Sequence, residues 1–581
     1  MSNEGPSGSP HRPDRGSPPR RSDRGLPRRR ASSSLEDLGE VERRPRTARR
    51  AGLRNSSGTS VLAALILLTL VGATAFAIFL HGRSDLSAAR PPAPAAYAFV
   101  FVVDGMAAAD VSSITTPNIA HLAKQGISYP SAWVGQAESS SLASNASIGT
   151  GLFPSNDGVV GWQWSSPHSA QVVAPASPTQ VQLGSLDQVM QSHSRDSLSS
   201  RVKSRYPNDH VVSISGSQCG VADAAGTWTA DYVLCPRRQS KEWLPGSVTG
   251  HAPPLALLNS PGLAVPVLRG RALGAVTERW QVGTQDDWVA RCALAVLARE
   301  KPRLTILNFP EIEQVLRFAP SRNDGDIRRG LLRGVDRDIG RVVAATRVNG
   351  TFDRSVFVIT SDQALASVAQ RLQKSRIADA ILGAGGEQTY LASDMSAAAG
   401  VRDPLQVAPV AAALRSVDRG NIDIVFRKVR THGREGYRAE ALRSLSNGFI
   451  AAESDVVGTM ASVTSPDIVL VYSPGVSTFG VHASRLPEQN GGMGMQWPNL
   501  HIPFILAGHG IVQGATSRYP ARLVDLAPTL TALMHLATGS PDGLVLADAL
   551  YQPPAGSVMR QENESRHSSP LVRALQERSG H

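Results

Sequence analysis

The sequence predicts an α/β fold, a mostly parallel sheet with helices on both faces, preceded by one transmembrane helix. Three observations carry this. Short runs such as residues 98–103 (AFVFVV) and 355–360 (SVFVIT) are apolar without alternation, as expected of strands buried on both faces. They alternate with longer stretches of helical periodicity, the pattern of strand–helix units. Residues 59–80 (TSVLAALILLTLVGATAFAIFL) run 22 residues without a charge; as a helix that is about 33 Å, enough for a bilayer core of about 30 Å.

Taken in chain order, residues 1–58 are rich in Arg, Pro, Ser and Gly and lack aromatics, so they cannot bury enough apolar area to offset the entropy of ordering and read as a disordered tail. Residues 1–54 hold fourteen Arg, no Lys and seven acids, while the chain of 581 residues carries +11 in all. The folded part is therefore nearly neutral, and a nucleic-acid face, which needs its charge on the fold, is excluded. A transmembrane helix over 59–81 follows. A signal peptide is the competing reading, but the run exceeds the usual apolar region and its leader is long. The Arg excess before the span keeps the N-terminus cytoplasmic and puts the rest outside, which predicts a single-pass plasma-membrane protein with a large extracytoplasmic domain. Residues 82–96 form a Pro/Ala linker.

The ectodomain is expected over 97–550. Its strands are expected at 98–103, 210–214, 304–307, 355–360, 468–472 and 503–506, and helices at 118–125, 288–299, 327–347 and 524–536. Residues 551–581 read as a polar, loosely ordered tail. Cys219 and Cys235, sixteen residues apart, are candidates for a disulfide in an extracytoplasmic segment, which the sequence leaves open, and Cys292 reads as a buried small hydrophobe. Three cysteines exclude a disulfide scaffold or a zinc-finger array.

In such a sheet ligands gather at the C-terminal ends of strands. Polar residues ending these strands are Asp104, Glu311 or Glu313, and Asp362; any one could simply cap a helix, but three from distant segments point to a shared metal site. The Ser-rich stretch 138–158 places Ser139, Ser140 and Ser141 before a helix, where a hydroxyl nucleophile gains from the positive end of the dipole. A Gly-rich loop, 478–492, carries His482.

These residues, in this order, resemble the alkaline phosphatase superfamily and within it the type I phosphodiesterase/nucleotide pyrophosphatase branch. The resemblance rests on Asp104-Gly105, Thr116-Pro117-Asn118-Ile119, Thr150-Gly151-Leu152-Phe153-Pro154, Thr360-Ser361-Asp362, Gly480-Val481-His482-Ala483-Ser484, and the closing segments 502–508 and 524–529. It implies Ser141 as nucleophile, with Ser139 and Ser140 as fallbacks. It implies metal ligation by Asp104, Ser141, Asp362, Glu313 and His482; Gln363 is a further candidate ligand, and Arg317 and Asn145 are candidate substrate-binding residues. The departures are equally plain. Gln363, Arg317 and Asp157 stand where the family has histidines.

Without those imidazoles an all-oxygen set remains, which suits one ion rather than two, either zinc or a harder cation such as Mg²⁺, Mn²⁺ or Ca²⁺. Arg317 could supply a fixed charge to phosphate oxygens, or it could pair with Glu313 or Asp324. A sulfatase reading is poor, because the segment after Ser141 (Leu-Ala-Ser-Asn) lacks the Cys/Ser-x-Pro-x-Arg motif. The resemblance thus implies a membrane-anchored, metal-dependent phosphoester hydrolase or phosphotransferase, whose substrate could be lipid-linked. The alternative is a catalytically degenerate member acting as a binding or envelope scaffold.

Overall fold

The computed structural model describes residues 93–137, 139–166, 171–239, 242–265, 284–317, 324–478 and 490–580. The expected tail, transmembrane helix and most of the linker lie outside these residues, as does His482. Among the described residues no helix is long and apolar enough to cross a membrane.

The strands that matter here are β1 (Tyr97–Val103), β2 (Gly126–Ser128), β3 (Val211–Ser215), β4 (Tyr232–Gln239), β5 (Glu242–Gly246), β6 (Leu304–Phe309), β7 (Ser355–Thr360), β8 (Gln388–Ser393), β9 (Ser396–Val401), β10 (Ile422–Thr431), β11 (Arg434–Ala441), β12 (Ile468–Tyr472), β13 (Phe504–Gly508) and β14 (Ala515–Thr516). The helices are α1 (Pro117–Lys124), α2 (Ser141–Thr150), α3 (Ser185–His193), α4 (Cys219–Gly226), α5 (Thr284–Leu297), α6 (Glu311–Leu316), α7 (Asp324–Val348), α8 (Asn447–Gly458), α9 (Leu526–Leu533) and α10 (Ser557–Ser579).

Nine strands form the main sheet in the order β14-β2-β13-β7-β1-β6-β3-β4-β5. The run β7-β1-β6-β3-β4 is parallel throughout, whereas β13 joins β7 antiparallel. Along β1, Ala98, Val100 and Val102 enter one core, while Phe99, Phe101 and Val103 enter another on the opposite face. Burial on both faces is why these strands are continuously apolar. Parallel pairing also brings the C-terminal ends of β1, β6 and β7 to one edge, since Val103 lies beside Phe309 and Val102 beside Thr360.

Three expectations need correction. Residues 468–472 do form a strand, but β12 belongs to a separate five-stranded sheet, β8-β9-β12-β10-β11, with one face on its own core and the other, through Val469 and Val471, on a core shared with the main sheet. A buried apolar strand carries no mark of which sheet it joins. The linker ends earlier than expected, because Ala95 and Ala96 are buried and their N–H groups donate to the carbonyls of Leu533 and Arg354. The polar tail is helix α10, with Gln561, Val572 and Leu575 buried. It is fixed by ion pairs from Glu564 to Arg522 and from Arg578 to Asp423. Its sparse apolar residues suffice because long-range ion pairs, invisible to local periodicity, complete the docking.

Cys219 and Cys235 form a disulfide between α4 and β4, and Cys292 is buried and free.

Candidate active site

β1 is followed by Asp104 and then Gly105 with φ of +81°, a conformation that favours glycine. A side chain at Gly105 would also stand 3.1 Å from the backbone N and Cα of Glu313. The glycine therefore lets the first turn of α6 lie against the end of β1, where Glu313 N donates to Asp104 O at 3.2 Å. That contact selects Glu313 over Glu311, which instead accepts hydrogen bonds at the start of α5, from Thr284 N at 3.0 Å. Asp362 follows β7, so the carboxylates of Asp104, Glu313 and Asp362 meet, each offering an oxygen within 4.8 Å of the others.

Burial and mutual repulsion dominate the electrostatics. Asp104 is buried, and its carboxyl is raised well above the usual range by desolvation first, then by Asp362 and Glu313. The Asp362 carboxyl is pushed up to about 7, again by burial first and then by Glu313. The Ser141 hydroxyl lies close enough to favour its ionised form, yet neither Asp362 oxygen has a well-formed hydrogen bond. Buried carboxylate oxygens are rarely left so. An oxygen-donor cation fits this arrangement, because it would satisfy both oxygens and offset the negative charge.

Ser141 opens α2. Ser140 is the cap of that helix, its Oγ accepting from Ala143 N at 3.5 Å, and Ser139 Oγ donates to Gly494 O at 3.3 Å. Of the three candidates, Ser141 is the one whose hydroxyl faces a cluster carboxylate. Asn145 is buried; its Nδ2 donates to Ser141 O at 2.8 Å and its Oδ1 has no partner. No hydrogen bond joins it to the carboxylates among the described residues.

Gln363 is spanned by two hydrogen bonds: Nε2 donates to Glu313 Oε1 at 3.0 Å, and Oε1 accepts from Met493 N at 2.7 Å. Arg317, one turn after Glu313, donates to Glu313 at 2.7 Å and to Asp394 at 2.7 Å. Of the partners expected for Arg317, Glu313 is thus observed; the side chain of Asp324 lies outside the described residues. Asp157 is remote from these contacts: its Oδ1 accepts from Val159 N at 2.8 Å in a buried turn.

Two participants escape the sequence reading. Asn308 donates from Nδ2 to the Asp104 carboxylate and accepts from Ser215 Oγ at 2.8 Å. Its signal was available, a polar residue near the end of an apolar strand. Asp394 has none, since it sits in the tight turn between β8 and β9 of the other sheet and reads as an ordinary turn residue. It is fully buried, with its carboxyl raised by burial and lowered by Arg317.

The family model for type I phosphodiesterase/nucleotide pyrophosphatase matches residues 98–489. No curated protein matches the chain in sequence. Among solved structures, wild-type alkaline phosphatase PafA is similar with a TM-score of 0.56 at 14% identity, covering 79% of this chain and 100% of that one. Murine ectonucleotide pyrophosphatase/phosphodiesterase 5 is similar with a TM-score of 0.51 at 13% identity, covering 77% of this chain and 97% of its own. An inactive variant of the murine protein is known in complex with AMP. At such identities the likeness to these structures is one of fold.

Proposed function

We propose, for a chain that belongs to the type I phosphodiesterase/nucleotide pyrophosphatase family, that the strand-end cluster hydrolyses phosphoesters with Ser141 as nucleophile and one divalent cation. The observation that carries this is Asp362, a buried carboxylate with both oxygens unpartnered, beside the Ser141 hydroxyl and within reach of Asp104 and Glu313. Asp104, Asp362 and Glu313 would hold the cation, with Ser141 at its edge. A bound divalent ion stabilises charge on the phosphoryl group and lowers the pKa of a nearby hydroxyl. The oxygen donors suit Mg²⁺, Mn²⁺ or Ca²⁺, with zinc as the alternative.

The chain's own residues do the rest. Ser141 Oγ, at the positive end of α2, gives up its proton to solvent and forms the bond to phosphorus as the bond from phosphorus to the leaving alcohol breaks. The alcohol oxygen takes a proton from solvent, and water later displaces the seryl oxygen to release the phosphate. Asn308 and Gln363 orient the carboxylates of Asp104 and Glu313. Arg317, held by Glu313 and Asp394, adds fixed positive charge on the side of the cluster where the family resemblance implies a second ion.

A membrane anchor over 59–81 with the catalytic domain outside is part of the proposal. The Cys219–Cys235 disulfide supports an oxidising compartment, and a phosphoester in a lipid or envelope component would suit the tether.

The test is hydrolysis of an aryl phosphodiester and an aryl phosphomonoester by the full chain in detergent, with Zn²⁺, Mn²⁺, Mg²⁺ and Ca²⁺ in turn, beside Ser141→Ala. Metal-dependent turnover that falls by roughly 10³-fold or more in the variant supports the reading. Absence of turnover with every cation, in a folded chain that binds one, overturns it. That result would favour a binding role, for which the ion-paired Arg317 and the hydrogen-bonded Gln363 are the supporting observations.

A further inference from the structure

A second cluster is built partly on α4, the helix packed against α2. Asp187 of α3, Asp223 of α4 and His251, in the loop after β5, each offer a ligand atom within 4.8 Å of the others, and all three are buried. The proposed reaction uses none of them. We propose that these three residues form a structural zinc site.

The first support is the state of the carboxylates. Asp223 is 0% exposed and neither of its oxygens has a hydrogen-bond partner; Oδ1 of Asp187 is likewise unpartnered. No lysine or arginine pairs with either carboxylate among the described residues. Two buried carboxylates facing a single imidazole form a set with unsatisfied oxygens, which native interiors rarely tolerate without an ion or proton between them.

The second support is the orientation of His251. Its Nδ1 lies 2.5 Å from the carbonyl of Ala230, so Nδ1–H donates there and Nε2 faces the carboxylates, 2.8 Å from Asp187 Oδ2. A metal-binding histidine is characteristically held this way, its far ring nitrogen donating to a carbonyl or carboxylate. The backbone of His251 is fixed too, N donating to Val248 O at 3.1 Å and O accepting from Val233 N at 2.8 Å. Rigid ligands of this kind favour binding over rearrangement.

Donor chemistry selects the ion. One imidazole and two carboxylates suit zinc, whose nitrogen and oxygen bonds of about 2.0–2.2 Å place tetrahedral donors about 3.3 Å apart. The ligand atoms lie within 4.8 Å of one another, with His251 and Asp187 at 2.8 Å, so zinc binding would open that contact and draw the wider ones toward the same spacing. With both Asp223 oxygens available, bidentate binding supplies a fourth donor. The zinc would then tie α3 and α4 to the loop carrying His251. α4 in turn supports α2 closely, because a side chain at Gly149 would stand 2.5 Å from Ala225 O.

The experiment uses the full chain carrying Asp104→Asn and Asp362→Asn, which removes two carboxylates of the other cluster and is independent of turnover. The protein is equilibrated with Zn²⁺, desalted and its metal counted. The expected result is one zinc per chain, lost when Asp223→Asn or His251→Gln is added, together with a Tm higher by about 3 °C at a hundredfold excess over Kd. No retained zinc overturns the proposal and leaves the triad a buried ion pair. Zinc retained by a folded chain with Asp223→Asn and His251→Gln also overturns it. If those variants do not fold, X-ray absorption on the zinc-loaded intact cluster decides: one imidazole with oxygen neighbours supports the site, and an all-oxygen shell refutes it.

Discussion

Replacing Arg317 by alanine tests whether its guanidinium holds the acidic cluster together. Arg317 is 12% exposed and bonds Glu313, 16% exposed, and Asp394, 0% exposed, each at 2.7 Å. Removing one partner of a buried ion pair costs roughly 3–5 kcal/mol, because the other charge is left uncompensated. Two features put Arg317→Ala at the low end. Glu313 keeps its bond from Gln363 and Asp394 keeps one from Gly492 N at 3.2 Å. The Asp394 carboxyl is moreover already raised by burial, so it can shed its charge by taking a proton.

The expected loss is about 3 kcal/mol at pH 8. Its pH dependence has a definite sign. Without Arg317 the folded pKa of Asp394 rises further above its unfolded value, so the native state binds the proton more tightly. The loss then shrinks as pH falls, by at most about 1.4 kcal/mol per pH unit. Urea unfolding followed by tryptophan fluorescence at pH 5 and pH 8 measures it, for the unaltered chain, Arg317→Ala, and Arg317→Ala with Asp394→Asn. The double variant should recover at least half of the loss at pH 8. A loss below about 1 kcal/mol, or one equal at both pH values and unrelieved by Asp394→Asn, refutes the reasoning.

Other expectations follow from the same geometry. Gly105→Ala should destabilise the fold by about 1–3 kcal/mol and weaken cation binding, since a positive φ and the backbone of Glu313 both oppose a side chain there; unchanged Mn²⁺ affinity would count against the placement of Glu313. Cys219→Ser should cost about 3 kcal/mol by opening a loop of sixteen residues, measured by urea unfolding beside the reduced unaltered chain, which should match it. Cation uptake at the strand ends should rise between pH 5.5 and 8, because the Asp362 carboxyl, held up to about 7, must lose its proton to bind. The metal-free fold should lose stability over the same rise, since a raised carboxyl pKa favours the protonated native state; a flat binding isotherm across that range would contradict both. Deleting residues from 557 onward should destabilise by about 3 kcal/mol or more, since it exposes the surface under Val572 and Leu575 and removes one ion-pair partner each from Arg522 and Asp423, which keep Asp525 and Arg443.

The sequence by itself determined the parallel sheet, because strands such as β1 and β7 must be apolar on both faces to lie between two helical layers. It also determined Asp104 and Asp362 as strand-end carboxylates, because chain direction in a parallel sheet puts such residues on one edge whatever the loops do. The Ser-rich turn was legible as hydroxyls at the start of a helix, and the family resemblance singled out Ser141 among its three serines. Local periodicity could not assign residues 468–472 to the second sheet or fold residues 557–579 into a docked helix, since strand partners and ion pairs such as Arg522–Glu564 depend on distant segments. The choice of Glu313 over Glu311 needed the close approach that Gly105 permits. The counter-charges were decided by the tertiary structure alone. Asp394, far along the chain on a hairpin of another sheet, is brought against Arg317, and Asp187, Asp223 and His251 converge from three elements, because the electrostatic cost of burying a charge is met by whichever group the fold brings near, not by any neighbour in sequence.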